Sequence, residues 1–256
     1  MINDTDSKDD TGGRLFICAT PIGNLGDITA RVVRALSEAD AVLAEDTRVT
    51  RRLLSHLDIH VPLERCDAHS IRTCIPELIT RLQSGERLAL VSDAGTPGIS
   101  DPGMELVSAC READLPVEIL PGASALLTAL VGSGFTFTSF YFGGFLPRKA
   151  GECQTLLSDL AALPAALVFY ESPHRLANSL AVMADILPTR QVAVARELTK
   201  LHEEYIWGTA NELLSEIELR SIANPEKPLK GEIAIVVAPP LLTKEKRVHH
   251  DKYAKP

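Results

Sequence analysis

The amino-acid sequence predicts an α/β protein of two domains, on three observations. Short apolar runs alternate with stretches of helical periodicity, the pattern of strands joined by crossover helices. Several of these runs end in loops of Gly, Pro and Ser that open directly into a helix, as the carboxyl ends of strands in a parallel sheet do. Residues 132–138 then turn to Gly, Ser and Thr and mark a boundary. The 256 residues suit either one large domain or two of about 110 residues each. With that boundary the chain reads as an N-terminal α/β domain, 14–134, and a C-terminal α/β domain, 135–238. An acidic, disordered-looking tail, 1–13, and a basic tail, 239–256, flank them.

The first strand, residues 15–19, turns through Pro21, Gly23 and Gly26 into a helix. This strand, turn and helix lack GxGxxG, so a nicotinamide cofactor is not implied. A second strand, 41–44, ends in Glu45-Asp46-Thr47-Arg48 as the next helix begins. Two readings stand for the acidic residues: service to the helix dipole, or a ligand or substrate role for Asp46 or Arg48. A strand at 62–65 leads to a helix over 75–83.

The apolar run 88–91 opens into VSDAGTPGISDPG, residues 91–103. Here the glycines allow backbone to approach a ligand. Asp101 reads as the cap of a helix over 102–113, with Pro102 at its first position. A strand at 117–120 is followed by Pro121-Gly122-Ala123-Ser124-Ala125, another helix start with free N–H groups and a hydroxyl. In the second half, strands are expected at 140–145, 166–170, 192–195, 205–208 and 233–237, and helices at 152–162 and 211–219. Glu171-Ser172-Pro173 reads as a further helix start capped by Ser172.

Composition narrows the function. The net charge is −8; the tails contribute −3 and +3 and cancel, so the body itself is acidic. That argues against broad, non-specific nucleic-acid binding, which needs many phosphate contacts, and leaves local basic patches open. No apolar run approaches the roughly 18 residues of a membrane span, and the first ten residues do not resemble a signal peptide, so a cytoplasmic protein with no membrane partner is expected. The five cysteines contain no CxxC pair. The one group with metal-ligand chemistry, Cys66, Asp67, His69 and Cys74, reads as solvated loop residues and not as a metal site.

The segments ATPIGNLGDIT, AEDTR, VSDAGTPGISDPG, PGASA, GFLP, YESPHRL, RELTK and KGEIAIVV occur in an order that resembles the tetrapyrrole methylase superfamily of S-adenosylmethionine-dependent methyltransferases. The resemblance spans about residues 14–238. It is strongest to the members that methylate the 2′-hydroxyl of a cytidine ribose in 16S rRNA. It implies a two-domain fold with the donor in the cleft between domains, a homodimer, and 16S rRNA or the small ribosomal subunit as partner. By similarity the donor site takes Ile22, Gly23, Val91, Ser92, Asp93, Gly98, Ile99, Ser124 and Ala125, with Glu171 and Leu198 from the second domain. Asp93 suits a ligand bearing an ammonium and a sulfonium, and equally suits capping its own loop.

The implied reaction is an in-line methyl transfer in which alignment supplies most of the acceleration. Catalytic candidates are Asp46, Arg48, Glu171 and Lys200, with Glu45, Glu197 and His174 also at strand ends, and the sequence does not choose among them. Arg48, Arg148, Lys149, Arg175 and Lys200 are of the type that meets RNA phosphates. Two departures stand out. Relatives often carry a histidine-rich stretch where this chain has Asp67-Ala68-His69-Ser70-Ile71, and many continue beyond the last strand into a helical extension. Two other readings therefore stay open: a corrinoid or tetrapyrrole C-methyltransferase, whose first and second loops are usually of GxGxGD and GDP type, and a non-catalytic donor-binding protein on the ribosome.

Overall fold

The computed structural model describes residues 12–223, 226 and 229–241. Both tails expected from the sequence fall largely outside these residues. By its contacts the chain divides into two units, Met1–Ser124 and Ala125–Pro256.

The first unit is a five-stranded sheet in the order β3-β2-β4-β1-β5, every pair parallel. Its strands are β1 (Arg14–Cys18), β2 (Ala41–Ala44), β3 (Leu63–Arg65), β4 (Arg87–Val91) and β5 (Val117–Leu120). Helices α1 (Ala30–Glu38) and α2 (Thr47–His56) cover one face, where Val32, Leu36 and Leu54 pack on Phe16, Val42 and Ala89. Helices α3 (Ile71–Gln83) and α4 (Met104–Glu112) cover the other through Ile71, Leu78, Leu82 and Leu106 on Leu15, Leu43 and Leu90. Burial on both faces is why the three inner strands, β2, β4 and β1, read as nearly continuous apolar runs. β4 lies between β2 and β1, yet its following helix goes to the face opposite theirs. The carboxyl end of β4 is therefore a topological switch point, where open α/β sheets bind ligands.

The second unit begins with α5 (Ala125–Gly132) and holds a mixed sheet, β6-β7-β10-β8-β9, in which only β6 and β7 pair in parallel. Its elements are β6 (Phe140–Phe145), α6 (Ala150–Leu160), β7 (Ala166–Glu171), α7 (Leu176–Ile186), β8 (Gln191–Arg196), β9 (Glu204–Thr209), α8 (Ala210–Ala223) and β10 (Ile233–Val237). Helices α6, α7 and α8 pack around Leu167, Phe169, Val194 and Ile235. α5 packs on β10 and β7. The contact division thus falls before α5, whereas the Gly, Ser and Thr stretch after α5 had suggested a boundary about ten residues later.

Three helix starts differ from the sequence reading. α4 begins at Met104 behind Gly103, whose φ of 141° is open only to glycine, so Asp101 and Pro102 lie in the loop and Asp101 does not cap the helix. α7 begins at Leu176; Ser172 and Pro173 form a turn before it, with the Ser172 carbonyl accepting from the N–H groups of Arg175 and Leu176. α3 begins at Ile71 and carries Pro76 inside it, where the sequence had suggested a start near that proline. Asp67 launches it: Oδ1 accepts from the N–H groups of His69 and Ser70 and from the Ser70 hydroxyl.

Candidate functional site

In the first unit the strand ends are in register. Cys18 pairs with Val91 and Leu120, and Ala44 pairs with Val91 and Arg65, so the last residues of all five strands form one row. At the usual strand spacing this row is about 19 Å long. The loops after β1, β2, β4 and β5 all leave from it.

These loops are tied together. Thr20 and Gly95 exchange backbone hydrogen bonds at 2.9 and 3.0 Å. The Thr20 hydroxyl donates to the Ser92 carbonyl at 3.1 Å, and the Ser92 hydroxyl to the Gly95 carbonyl at 3.1 Å. Ile22 is buried, and its Cγ2 stands 3.5 Å from where a side chain on Gly95 would begin, with the Ala123 carbonyl oxygen at 3.8 Å from the same point. Gly122 lies so close to Ala19 that a Cβ there would sit 2.8 Å from the Ala19 Cβ. Of the donor residues implied by resemblance, Ile22, Gly23, Val91, Ser92, Asp93, Gly98, Ile99 and Ser124 belong to this unit, Val91 at the end of β4 and the others on the three loops after β1, β4 and β5. Val91 and Ser92 are buried, while Gly23, Asp93 and Ile99 are exposed.

Four carboxylates gather at the β2 and β4 ends of the row. The Asp46 N–H donates to Asp93 Oδ1 at 3.1 Å. Asp46 caps α2, accepting from the Arg48 N–H at 2.8 Å and pairing with the Arg48 guanidinium, which holds its carboxyl well below the usual range. Partial burial, then Asp93, Asp67 and Asp46, push the Glu45 carboxyl up. Asp101 goes further: burial first, then Glu45 and Asp93, push it up to about 6, against a hydrogen bond with the Ser92 side chain. The structure therefore assigns Asp46 and Arg48 to the cap and gives prominence to Asp101, which the sequence reading had used as a helix cap. The signal was present in Pro102-Gly103, a pair ill-suited to continuing a helix from Asp101.

The chemistry of this edge is that of a cation site with a proton acceptor beside it. Backbone and small residues line it, carboxylates face one another with those of Glu45 and Asp101 pushed up, and among the described residues only Asp46 of the cluster forms an ion pair with an arginine. Metal-ligating groups are not assembled among the described residues. Cys66 and Asp67 are buried, not solvated as expected: Cys66 donates its N–H to the Ala44 carbonyl, and Asp67 is consumed by the turn into α3.

In the second unit, Ala125 opens α5. Glu171, at the end of β7, is fully buried and satisfied: it accepts from its neighbour's N–H at Ser172, from the Ser179 hydroxyl and from Arg175. Leu198 is buried between two residues of positive φ, Glu197 at 52° and Thr199 at 64°. Such φ values in residues with side chains are uncommon and mark a constrained backbone. Lys200 bridges Glu197 and Glu232 at 2.7 and 2.9 Å. His174 is exposed on the turn before α7, and Lys149 pairs with Glu152.

The family model for tetrapyrrole (corrin/porphyrin) methylases matches residues 14–214. A relative from Streptococcus pyogenes serotype M1, named ribosomal RNA small subunit methyltransferase I, is 47% identical over 228 residues, covering 89% of this chain and 77% of its own length. Among solved structures, the methyltransferase CobJ matches with a TM-score of 0.65 at 20% identity, over 90% of this chain and 95% of its own. Uroporphyrin-III C-methyltransferase from Thermus thermophilus, complexed with S-adenosylhomocysteine, matches with a TM-score of 0.60 at 17% identity, over 92% of this chain and 100% of its own. These likenesses of structure establish the shared fold; the model match and the close sequence identity go beyond it. The chain belongs to the tetrapyrrole (corrin/porphyrin) methylase family.

Proposed function

We propose that the chain is an S-adenosylmethionine-dependent methyltransferase that acts on the 2′-hydroxyl of a cytidine ribose in 16S rRNA. The observation that carries this reading is the 47% identity, over 89% of the chain, to a relative named ribosomal RNA small subunit methyltransferase I. The residues at the strand-end row fit the donor: carboxylates for its ammonium and sulfonium charges, and backbone from the Thr20, Ser92 and Gly95 loops for its neutral parts.

When bound, the donor supplies a methyl carbon made electrophilic by its sulfonium. The ribose oxygen forms the new bond to that carbon as the carbon–sulfur bond breaks, and the hydroxyl proton must leave. Asp101 is our candidate to accept it at a carboxylate oxygen, since a base with a pKa near 6 is ionised at neutral pH and still basic enough to help. Burial first, and then Glu45 and Asp93, keep it there. Holding both reactants in line supplies the larger part of the acceleration. Asp93, Ser124, Ala125, Glu171 and Leu198 remain donor contacts by resemblance, and a homodimer is expected from the same resemblance; sedimentation as a monomer alone would remove the dimer.

The test uses purified protein, labelled S-adenosylmethionine and small ribosomal subunits from a strain lacking the corresponding methylation. Label mapped to the ribose of one cytidine is the expected result. Donor binding with transfer to a porphyrinoid, or with no transfer to any RNA or particle, overturns the proposal.

A further inference from the structure

The outer face of α2 differs in charge from every other described helix. In ten residues, TRVTRRLLSH, it carries Arg48, Arg51, Arg52 and His56 and no carboxylate. Each other described helix that carries a basic residue carries an acidic one as well. This happens in a chain where 34 acidic residues outnumber 26 lysines and arginines.

The placement follows from helical geometry. Thr50, Leu53 and Leu54 are the buried stripe of α2. At about 100° per residue, Arg48, Arg51, Arg52 and Ser55 project from the opposite side, and all four are exposed. Arg48 is tied to Asp46, whereas Arg51 and Arg52 form no ion pair with any described residue. The helix starts at the strand-end row, one residue after the Asp46 N–H that binds Asp93. It runs away from that row for about 15 Å. A solvent face of unpaired guanidinium groups suits phosphate, which arginine grips by paired N–H donors.

We propose that the outer face of α2, through Arg51 and Arg52, binds backbone phosphates of the acceptor RNA strand next to the methyl-transfer site. The inference rests on the rRNA reading above and adds to it the surface that holds the substrate. It assigns positioning to these arginines and no chemistry. Charge complementarity selects the occupant: an anionic polymer is attracted to this face and to few others on an acidic protein.

The experiment compares wild-type protein with Arg51→Ala/Arg52→Ala and Arg51→Lys/Arg52→Lys, using small ribosomal subunits and labelled S-adenosylmethionine across a salt series. For the alanine pair, KM for subunits rises roughly tenfold and the slope of log affinity against log salt falls by about 1.5, as loss of two phosphate contacts requires. The lysine pair keeps most of the salt slope. Donor affinity by calorimetry and the melting temperature stay at wild-type values in both. If the alanine pair matches wild type in KM and salt slope while both methylate the subunits, the surface proposal is overturned and the rRNA reading stands. If wild-type protein binds the donor but neither binds nor methylates rRNA, both fall.

Discussion

Thr20 and Gly95, on loops from two neighbouring strands, hold each other by a reciprocal pair of backbone hydrogen bonds, and the Thr20 hydroxyl adds a bond to the Ser92 carbonyl. The turn after β1 and the long loop after β4 therefore behave as one piece. Thr20→Val keeps the shape and removes the buried hydroxyl. The expected outcome is a loss of about 1–2 kcal/mol in stability by urea unfolding, with a several-fold weaker donor affinity by calorimetry. Thr20→Ser restores both; a valine variant with unchanged donor affinity would show that the clamp does not shape the donor site.

Asp101→Asn separates catalysis from stability. As the base, Asp101 must be ionised, so the wild-type rate rises with pH through about 6 and then levels. The asparagine variant loses about 100-fold or more in methyl transfer while still binding donor. The stability sign is opposite to that of an ordinary paired carboxylate. A pKa raised above its unfolded value of 3.8 means that the fold prefers the protonated form, so wild-type stability is eroded as pH rises from about 4 to about 6. The melting temperature of Asp101→Asn therefore exceeds that of wild type above pH 6, and the gap closes towards pH 4. A variant no more stable than wild type at pH 7.5 contradicts the cost of burying the Asp101 carboxylate beside Glu45 and Asp93.

Glu171 presents a different balance. Its carboxylate is fully buried with Arg175, the Ser179 hydroxyl and the Ser172 N–H around it. Glu171→Ala leaves the arginine without its counter-charge and costs about 3–5 kcal/mol. Glu171→Gln retains hydrogen bonds and costs less. Thermal melts rank the three proteins; equal losses for both substitutions would show that the negative charge itself is what the site requires.

Arg190 is buried and forms no ion pair with any described residue. Its guanidinium donates to the carbonyls of Ala238, Ala165 and Leu160, joining the ends of β10, β7 and α6, and burial pushes its pKa down to about 10. Arg190→Met strands these carbonyls and is expected to cost about 3 kcal/mol in urea unfolding. A loss below about 1 kcal/mol would mean that water takes the place of the guanidinium.

The sequence made much of this legible and the reasons differ by element. The inner strands of the first unit stand out because both faces of the sheet are covered, and the loops because glycine and proline punctuate them. Helix starts at Met104 and Leu176 are less legible, because Asp-Pro and Ser-Pro serve equally in a cap or a preceding turn and tertiary contacts decide. The Asp101 environment is set by burial and by Glu45 and Asp93, which the pairing of Ala44 with Val91 brings to the same edge; no local pattern encodes such a meeting. Arg51 and Arg52, by contrast, were readable from spacing alone as the face opposite Leu53 and Leu54. The basic residues inside the ordered motifs carry the stronger family signal, yet Arg48, Arg175 and Lys200 are occupied in ion pairs.

The position of β1 in its sheet bears on how the chain is made. Although it is the earliest strand in the described chain, it sits between β4 and β5, with Leu15 paired to Leu88 and to Val117. Its two partners follow it by 73 and 102 residues. At usual translation rates the second of them is synthesised about 5–20 s after β1. Until β4 is made, 73 residues after β1, the segment that later carries the Thr20 turn has no partner strand to join, and its second edge stays open until β5 follows. Substitutions that make residues 14–20 stickier would be felt in the yield of nascent chains before they are felt in the activity of finished ones.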